Sequence, residues 1–496
     1  MSRWARVVGV VSLAAVVATV VVFDGRTEVA PSSVPRAPVT ASVGGEGGSW
    51  YCSARDIGVD AAFAHTVFVS SVGDDASLVH LDGFDDSEKV AGLDLTVEPG
   101  ATTAVDVAES LGSAGLSVMA ESDGPVVVEH RISSDSGADQ VPCSTFSSDV
   151  WYFPIAVTTR DATAQLNLFN PFPGDASVDI EIALETGVRQ PTPLSGIVVP
   201  AGSTRVVDLR EQVERREQFA FTVRTRSGGV VPELAQSFDG SQEDAPVKGL
   251  RLVSGSRTAG SRWSFPGGFA DPEARERLVV QNTTDEEVDV LAQLVPFGGL
   301  EVMPEPFEIT APALRYGPVD LEADSRVPAQ GYHSIDLESA GRAPVVPARS
   351  LNVTASADGG ETAPMRAVVG AGTTASPGLS VSATDWVATG MQRSEALDGT
   401  VFVHNPGSEA AEITVTASVG DDDGEPVRFE IPAGDAVAVD LASLTESSDV
   451  LSVMVHSDRP VAVERLIVFR GVPDLSIQSA VPVLESLEDL VDLGGR

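Results

Sequence analysis

Three glutamates share one position in a repeated pattern, and their carboxyl groups are the first candidates for chemistry. Glu129, Glu233 and Glu464 each lie in a Val-rich run, and Arg131 and Arg465 stand close to two of them. Two carboxylates about 5–10 Å apart could hydrolyse a glycosidic bond. These three fall in separate repeats, however, so we interpret them as outward-facing strand residues or as partners of arginine.

Aromatic side chains offer a second route to a glycan. Trp50 is followed by Tyr51, and Trp151 by Tyr152. Exposed aromatic rings can stack on sugars, so these four residues are our candidates for contact with a glycan or a partner protein. Because one tryptophan recurs in each repeat at the same position, packing in the core is the favoured interpretation of the indoles.

Metal and cofactor chemistry have little support in the sequence. Cys52 and Cys143 are the only cysteines, and no histidine stands at zinc-binding spacing from them. Acidic stretches at 82–88, 283–287 and 420–425 lack the ligand spacing of an EF-hand, and we interpret them as charged hairpin tips. No nucleophile elbow, metalloprotease, P-loop or dinucleotide motif is present. We therefore predict a protein that is not an enzyme, with no catalytic residue, metal or cofactor.

The charge of the chain limits its partners. The 496 residues include 32 Lys and Arg against 72 Asp and Glu, for a formal net charge of −40. Phosphate backbones are bound by clustered Lys and Arg, so we exclude nucleic acid as a partner.

The N-terminal segment predicts export. Arg3 and Arg6 precede an uncharged run, residues 7–23, which as a helix would rise about 26 Å, close to the thickness of a bilayer. Positive charge before the run places the N-terminus in the cytoplasm and the bulk of the chain outside. We predict a transmembrane signal anchor at 1–23, with a cleaved signal peptide as the alternative, and a flexible Pro-, Ser- and Gly-rich linker at 24–49.

A long internal repeat predicts the fold. Trp50, Trp151, Trp263 and Trp386 each precede a strand-like run, then a turn and a phrase resembling VPAGSTRVVDL (199–209), and finally a segment interpreted as a hairpin, such as 116–132. Short alternating strands punctuated by Gly, Pro and Asn are typical of antiparallel sandwiches. We predict an all-β protein of four tandem immunoglobulin-like β-sandwich repeats after the transmembrane helix; a β-propeller is the alternative. The predicted boundaries are 50–148, 149–258, 259–381 and 382–485, followed by an acidic tail at 486–496.

The repeat gives individual residues structural roles. Cys52 and Cys143 stand near the two ends of the first repeat, and an even number of cysteines outside the cytoplasm favours a disulfide between them. Asp106 and Asp208 each precede a glutamate by three residues, which predicts a helix cap. Asn170, Asn282 and Asn405 end strands and are predicted to start turns.

Two segments of the second repeat carry a family resemblance. VWYFPIAVTTRDATAQLNLFNPFPGDASVDIEI (150–182) and GIVVPAGSTRVVDL (196–209), with the W-Y-C opening at 50–52, resemble an uncharacterised family of membrane-anchored actinobacterial proteins. The resemblance covers residues 50–485. It implies a location in the cell envelope and supplies no catalytic residue.

Together these observations predict a non-enzymatic scaffold or binding protein, anchored in the cell membrane and exposed outside it. Its predicted partners are the membrane and an envelope protein or polysaccharide. The alternative is a glycan-acting envelope enzyme or a glycosyltransferase accessory subunit, for which Glu301, Glu305 and Glu308 would have to line a cleft in the third repeat.

Overall fold

The structure is a computed structural model that describes residues 43–44, 47–58, 62–242, 247–298, 303–321, 324–354, 372–420, 422–484 and 491–494. The predicted anchor at 1–23 and most of the predicted linker lie outside these residues. Among the described residues, no helix is both long and apolar enough to cross a membrane.

Nearly every described element is a β-strand, and the strands form four groups, which we number after the sequence repeat in which they fall. A short strand, β1 (Val43–Gly44), precedes them. Group one contains β2 (Ser49–Cys52), β3 (Ala64–Ser71), β4 (Ser77–Phe84), β5 (Lys89–Val97), β6 (Thr102–Asp106), helix α1 (Val107–Leu111), β7 (Ser117–Ser122), β8 (Val126–Ser134) and β9 (Gly137–Pro142). Group two contains β10 (Val150–Ala156), β11 (Gln165–Asn170), β12 (Ala176–Leu184), β13 (Gly187–Arg189), β14 (Ile197–Val199), β15 (Ser203–Asp208), β16 (Phe219–Ser227), β17 (Val231–Asp239) and β18 (Lys248–Ser254).

The third and fourth groups repeat this order. Group three contains β19 (Arg262–Ala270), β20 (Ala274–Asn282), β21 (Val288–Pro296), β22 (Phe307–Ala311), β23 (Tyr316–Asp320), β24 (Gly331–Ser339), β25 (Val345–Val353) and β26 (Gly372–Pro377). Group four contains β27 (Val381–Met391), β28 (Leu397–His404), β29 (Ala411–Val419), β30 (Asp422–Asp423), β31 (Val427–Ile431), β32 (Ala436–Asp440), β33 (Leu451–Phe469), β34 (Asp474–Ser479), β35 (Val481–Leu484) and β36 (Val491–Asp492). Short 3₁₀ helices lie at Thr192–Leu194, Leu209–Glu211, Ala340–Arg342 and Leu441–Ser443.

Groups one, two and three each build two antiparallel sheets, whereas in group four the shared strand β33 connects the strands into one larger sheet. In group one the strand orders are β2-β7-β4-β5 and β6-β3-β8-β9, and group three repeats them as β19-β24-β21-β22 and β23-β20-β25-β26. In β21 and β22 buried residues alternate with exposed ones, so one face of their sheet is buried, whereas β9 and β11 are buried along their whole length. The apolar faces of the two sheets share one hydrophobic cluster, which is the arrangement of a β-sandwich.

The segment predicted to be a final hairpin is not one, and the prediction is wrong. β7 pairs with β2 and β4, whereas β8 pairs with β3 and β9, so the chain crosses from one sheet to the other between them. In group four the two runs fuse into a single strand, β33, which pairs in both sheets. A sequence of two alternating runs joined by a turn is the same for a hairpin and for a crossing between sheets, so the pattern could not distinguish them.

The tryptophans open their groups and fill the cores. Trp151 is fully buried, and Trp50, Trp263 and Trp386 are at most 2% exposed. A buried indole needs a hydrogen-bond acceptor, and the Nε1–H of Trp151 donates to the Ser148 carbonyl at 3.1 Å. In groups one, two and three the segment after β9, β18 or β26 returns to bridge the tryptophan strand, as Ser144 does with Tyr51. β35 does the same in group four by pairing with Trp386.

The turns carry the polar chemistry predicted for them. Asp106 caps α1 by accepting a hydrogen bond from the Glu109 N–H, and Asp208 accepts one from the Arg210 N–H. Asn170, Asn282 and Asn405 each accept a bond from the backbone N–H two residues later and donate to a carbonyl four residues later. The repeated phrase is therefore a turn, a strand and a cap.

Four edge strands bring the groups together. β9, β18, β26 and β34, which we call the axial strands, form a closed ring in which each packs against the axial strands of both adjacent groups. Register makes their residues equivalent, because Pro142, Ser254, Pro377 and Ser479 lie opposite Glu129, Glu233, Ala348 and Glu464. The four groups are thus related by an approximate fourfold axis.

The predicted disulfide joins Cys52 to Cys143. It ties the tryptophan strand of group one to the segment that follows β9. The bond closes a long loop and so restricts the unfolded chain.

We expect the double variant Cys52→Ala, Cys143→Ala to lose about 2–4 kcal/mol of unfolding free energy, because its unfolded chain gains conformational freedom. Urea unfolding of the variant and of the unreduced protein measures the difference. Equal unfolding midpoints would contradict a stabilising role for the bond.

Candidate functional site

The three glutamates singled out from the sequence lie at the junctions between groups. Glu129 and Glu464 are fully buried and Glu233 is 5% exposed, so the interpretation as outward-facing residues is wrong. Their carboxylates contact basic side chains of the adjacent group. Glu129 and Glu464 do bind arginines, but each binds an arginine of another group and not the one close to it in sequence.

Each ionic contact joins neighbouring groups. Glu129 of group one binds the guanidinium of Arg465 of group four, and Glu464 binds Nη2 of Arg349 of group three at 3.1 Å. The backbone N–H of Gly267 also donates to Glu464 at 2.9 Å. Burial raises the pKa of Glu464, and Arg349 and the Gly267 N–H oppose that rise.

A histidine takes the place of arginine between groups one and two. Glu233 lies 3.0 Å from Nε2 of His130, whose Nδ1 lies 3.2 Å from Nε2 of His65. Burial and the neighbouring His130 hold the pKa of His65 well below its usual range. Arg465, Arg349 and His130 each follow by one residue the position that holds glutamate in groups one, two and four. Each of these side chains contacts the glutamate of the adjacent group.

The junction between groups two and three is apolar at the equivalent positions. Leu234 follows Glu233 where His130, Arg349 and Arg465 stand in the other groups, and Ala348 replaces the glutamate. Both belong to one hydrophobic cluster. Removing one member of a buried ion pair leaves an unpaired charge, whereas replacing both is tolerated, so loss of the two charges together is the expected outcome.

A single carboxylate lies where the four axial strands meet. Oδ2 of Asp474 accepts hydrogen bonds from the N–H groups of Ala138 (2.9 Å) and Leu250 (2.8 Å). Its Oδ1 accepts from Thr373 (2.8 Å) and from Leu475 (2.9 Å). These four N–H groups occupy equivalent positions of the four groups, so every group donates one hydrogen bond to the same side chain.

Glycines make room for this side chain. Gly137, Gly249 and Gly372 stand at the positions equivalent to Asp474. A Cβ at any of the three would collide with the carboxylate of Asp474. Burial raises the pKa of Asp474 well above its ordinary value, and the backbone N–H groups oppose the rise. Because four donors occupy the acceptor positions of both oxygens, only the ionised form can accept all four bonds.

A second axial carboxylate lies two residues along the strand from Gly137. Asp139 is fully buried, and its Oδ2 accepts from the Leu252 N–H of group two at 2.7 Å. Burial raises its pKa to about 7, against the lowering effects of Ser476 and two backbone N–H groups. Asp139 and Asp474 therefore both accept hydrogen bonds from backbone donors of neighbouring groups. In the described part of the chain, no three His, Cys, Asp or Glu residues are grouped closely enough to bind a metal ion.

The aromatic residues proposed for glycan contact lie in the core or at junctions. The burial of Trp50 and Trp151 removes both indoles as stacking surfaces. Tyr51 and Tyr152 are half-buried. Tyr51 packs against Phe172 of group two, with ring centroids 5.7 Å apart, and Tyr152 packs against the core of group three. The pairs thus connect adjacent groups.

The cleft required by the enzyme hypothesis has no support among the described residues. Glu305 and Glu308 are exposed, and Glu301 lies outside the described residues. Group three does contain a cavity of about 320 Å³, but the carboxylates that line it are Asp271 and Glu276. Glu276 accepts a hydrogen bond from His333 at 2.7 Å, and both side chains are buried.

Sequence reasoning missed Asp474, Asp139 and Arg349. The signal for Asp474 was present in the register of the repeats, since three groups have glycine at its position. Its significance depends on four segments meeting at one point, which repetition along the chain does not reveal.

We expect Asp474→Asn to lower the unfolding free energy by about 2–6 kcal/mol, because the amide NH₂ would face two buried N–H groups that lose their acceptor. Urea unfolding measures the loss. In Asp474→Gly, formate should restore part of the stability by supplying a carboxylate, and neutral formamide at the same concentration should not. Wild-type stability in Asp474→Asn would contradict the role assigned to this residue.

We expect Asp139 to make the unfolding free energy depend on pH. Its raised pKa means that the folded protein holds this proton where the unfolded chain has lost it, so the contribution to stability is full below about pH 4 and is lost as the pH rises through about 7. Asp139→Asn should remove this dependence, which has a slope of up to about 1.4 kcal/mol per pH unit. Urea unfolding across this pH range tests it, and parallel curves for both proteins would refute it.

Comparisons with known proteins give a partial family match. Residues 136–323, from the first axial strand to group three, match a family of unknown function (DUF5719). No curated protein matches the chain.

Among solved structures, Thermotoga maritima 1070 is 21% identical over 20% of this chain and 94% of its own, with a TM-score of 0.18. A glycoside hydrolase family 32 protein from Bifidobacterium adolescentis is 13% identical, covering 88% of this chain and 95% of its own, with a TM-score of 0.15. A tetra-tandem repeat from the extending region of a large adhesion protein is 10% identical, covering 89% and 100%, with a TM-score of 0.09. Scores this low carry no information about the fold or activity of this chain, and what the match at 136–323 indicates is an uncharacterised family.

Proposed function

We propose that the protein is a non-enzymatic binding scaffold of the cell envelope, held at the membrane by residues 1–23 and exposed outside the cell. In this proposal the four groups are immunoglobulin-like sandwiches derived from one duplicated unit. Its family is the uncharacterised actinobacterial one that the sequence resembles. The partner is an envelope protein or polysaccharide.

One observation carries the proposal: the buried acidic and basic side chains at the axis are used to join the groups. Glu129, Glu464 and Asp474 bind arginines or backbone donors of adjacent groups. Acid–base catalysis needs titratable groups that a substrate can reach. A fold that commits these groups to its own junctions is suited to holding binding surfaces in fixed positions.

Charge and the disulfide support the location and the kind of partner. A disulfide between Cys52 and Cys143 is typical of an oxidising compartment outside the cytoplasm. A net charge of −40 repels anionic polymers and favours a basic protein surface or a neutral polysaccharide.

Photocrosslinking from the intact, membrane-bound chain tests this proposal. A crosslinking residue at Asp86, whose side chain is 69% exposed in the β4–β5 turn, should capture one dominant membrane partner. The same residue placed at buried Val69 is the matched control and should capture none. A change in envelope glycans on deletion, with no partner captured, would favour the enzyme instead.

Topology provides an independent control. Both native cysteines are bonded, so a cysteine introduced at Gly494 is the one group that a thiol reagent should label. Labelling of intact cells supports export, and labelling only after permeabilisation refutes it.

A further inference from the structure

The junction between groups two and three differs from the other three. It has Leu234 and Ala348 where the others have a charged or imidazole pair. A cavity of about 290 Å³ opens at this junction, lined by strands of both groups. Because the four groups are built alike, the other junctions serve as internal comparisons for this one.

The walls of this junction cavity are polar and balanced in charge. Three arginines line it (Arg251, Arg275 and Arg277), together with three acidic residues (Asp161, Glu217 and Asp320). Arg277 and Asp320 form a bidentate pair. Most other lining side chains are carboxamides and hydroxyls, which both donate and accept hydrogen bonds.

Arg251 is the unusual member of this wall. It is 2% exposed, yet no carboxylate of the described residues lies within ion-pair distance, whereas Arg349 and Arg465 each bind a glutamate. Its Nε and Nη2 donate to Oε1 of Gln236, and its guanidinium lies 4.8 Å from the ring centre of Phe238. Burial lowers its pKa to about 10, against the charge of Asp139.

Nη1 of Arg251 carries two further N–H groups. Nη1 makes no hydrogen bond to the described residues, although the side chain is buried and lines the cavity. Because Arg251 lines the cavity, a ligand oxygen there can accept a hydrogen bond from Nη1 in place of water.

We propose that the junction cavity binds a neutral, polyhydroxylated ligand of about the size of a monosaccharide. Hydroxyl groups both donate and accept, which matches walls that mix guanidinium, carboxylate and carboxamide groups. A neutral ligand keeps the balance between three arginines and three acids. The volume lies at the lower end of the range of ligand pockets. The proposal deepens the polysaccharide alternative of the binding role and rests on it.

Saturation-transfer NMR on the full chain tests the site with glucose, galactose and arabinose as neutral probes and with glucuronate and glucosamine as charged ones. At least one neutral sugar should bind saturably and more tightly than its charged analogue. Arg251→Met should weaken that binding at least about tenfold, the loss expected for a hydrogen bond to a charged group. Gln242→Ala, at the half-buried wall, should weaken it less and leaves the core intact.

The control is Arg262→Gln, a surface arginine paired with Glu338 outside the cavity, which should bind like the wild type. The proposal would be overturned if no neutral sugar bound saturably, if a charged sugar bound more tightly, or if binding were unchanged in both Arg251→Met and Gln242→Ala.

Crosslinking at Asp86 tests the protein-binding form of the scaffold independently of sugar binding. A chain that crosslinks but binds no sugar refutes the cavity alone, and one that binds sugar but captures no partner refutes the protein-binding form of the scaffold.

Discussion

The four hydrogen bonds to the carboxylate of Asp474 are the interaction on which the assembly of this protein depends. Buried backbone N–H groups need acceptors, and four equivalent ones point to the axis, where no strand is available to pair with them. One carboxylate has room for four hydrogen bonds. It therefore satisfies all four donors at once, and it can do so only because the other three groups have glycine at its position.

This solution requires the four groups to differ. Four aspartates at the axis would place four negative charges within a few ångströms in a medium of low dielectric constant, and the repulsion would be severe. Four glycines would leave four donors without an acceptor. One aspartate among three glycines avoids both costs. The axis therefore departs from exact fourfold symmetry, with aspartate in group four and glycine in the other three groups.

At the junctions between groups, too, the identity of one residue depends on the residue that it contacts. Three of them place a glutamate against an arginine or a histidine, and the fourth replaces both members with Leu234 and Ala348. At these junctions both members of a pair are charged or polar, or both are apolar, because removing one partner would leave the other buried and unpaired. Beside the apolar junction, Arg251 binds Gln236 and lines a cavity.

The sequence by itself determined the local structure: the buried tryptophan strands, the asparagine turns, the caps at Asp106 and Asp208, and the pairing of Cys52 with Cys143. Each of these follows from the conformational preferences and spacing of residues within one repeat. Only the tertiary structure decided that β7 and β8 belong to different sheets, that Glu129 faces another group instead of solvent, and that Asp474 meets all four. Those outcomes depend on which strand edges meet in space, and a pattern of alternating residues is the same whichever edge lies next to it.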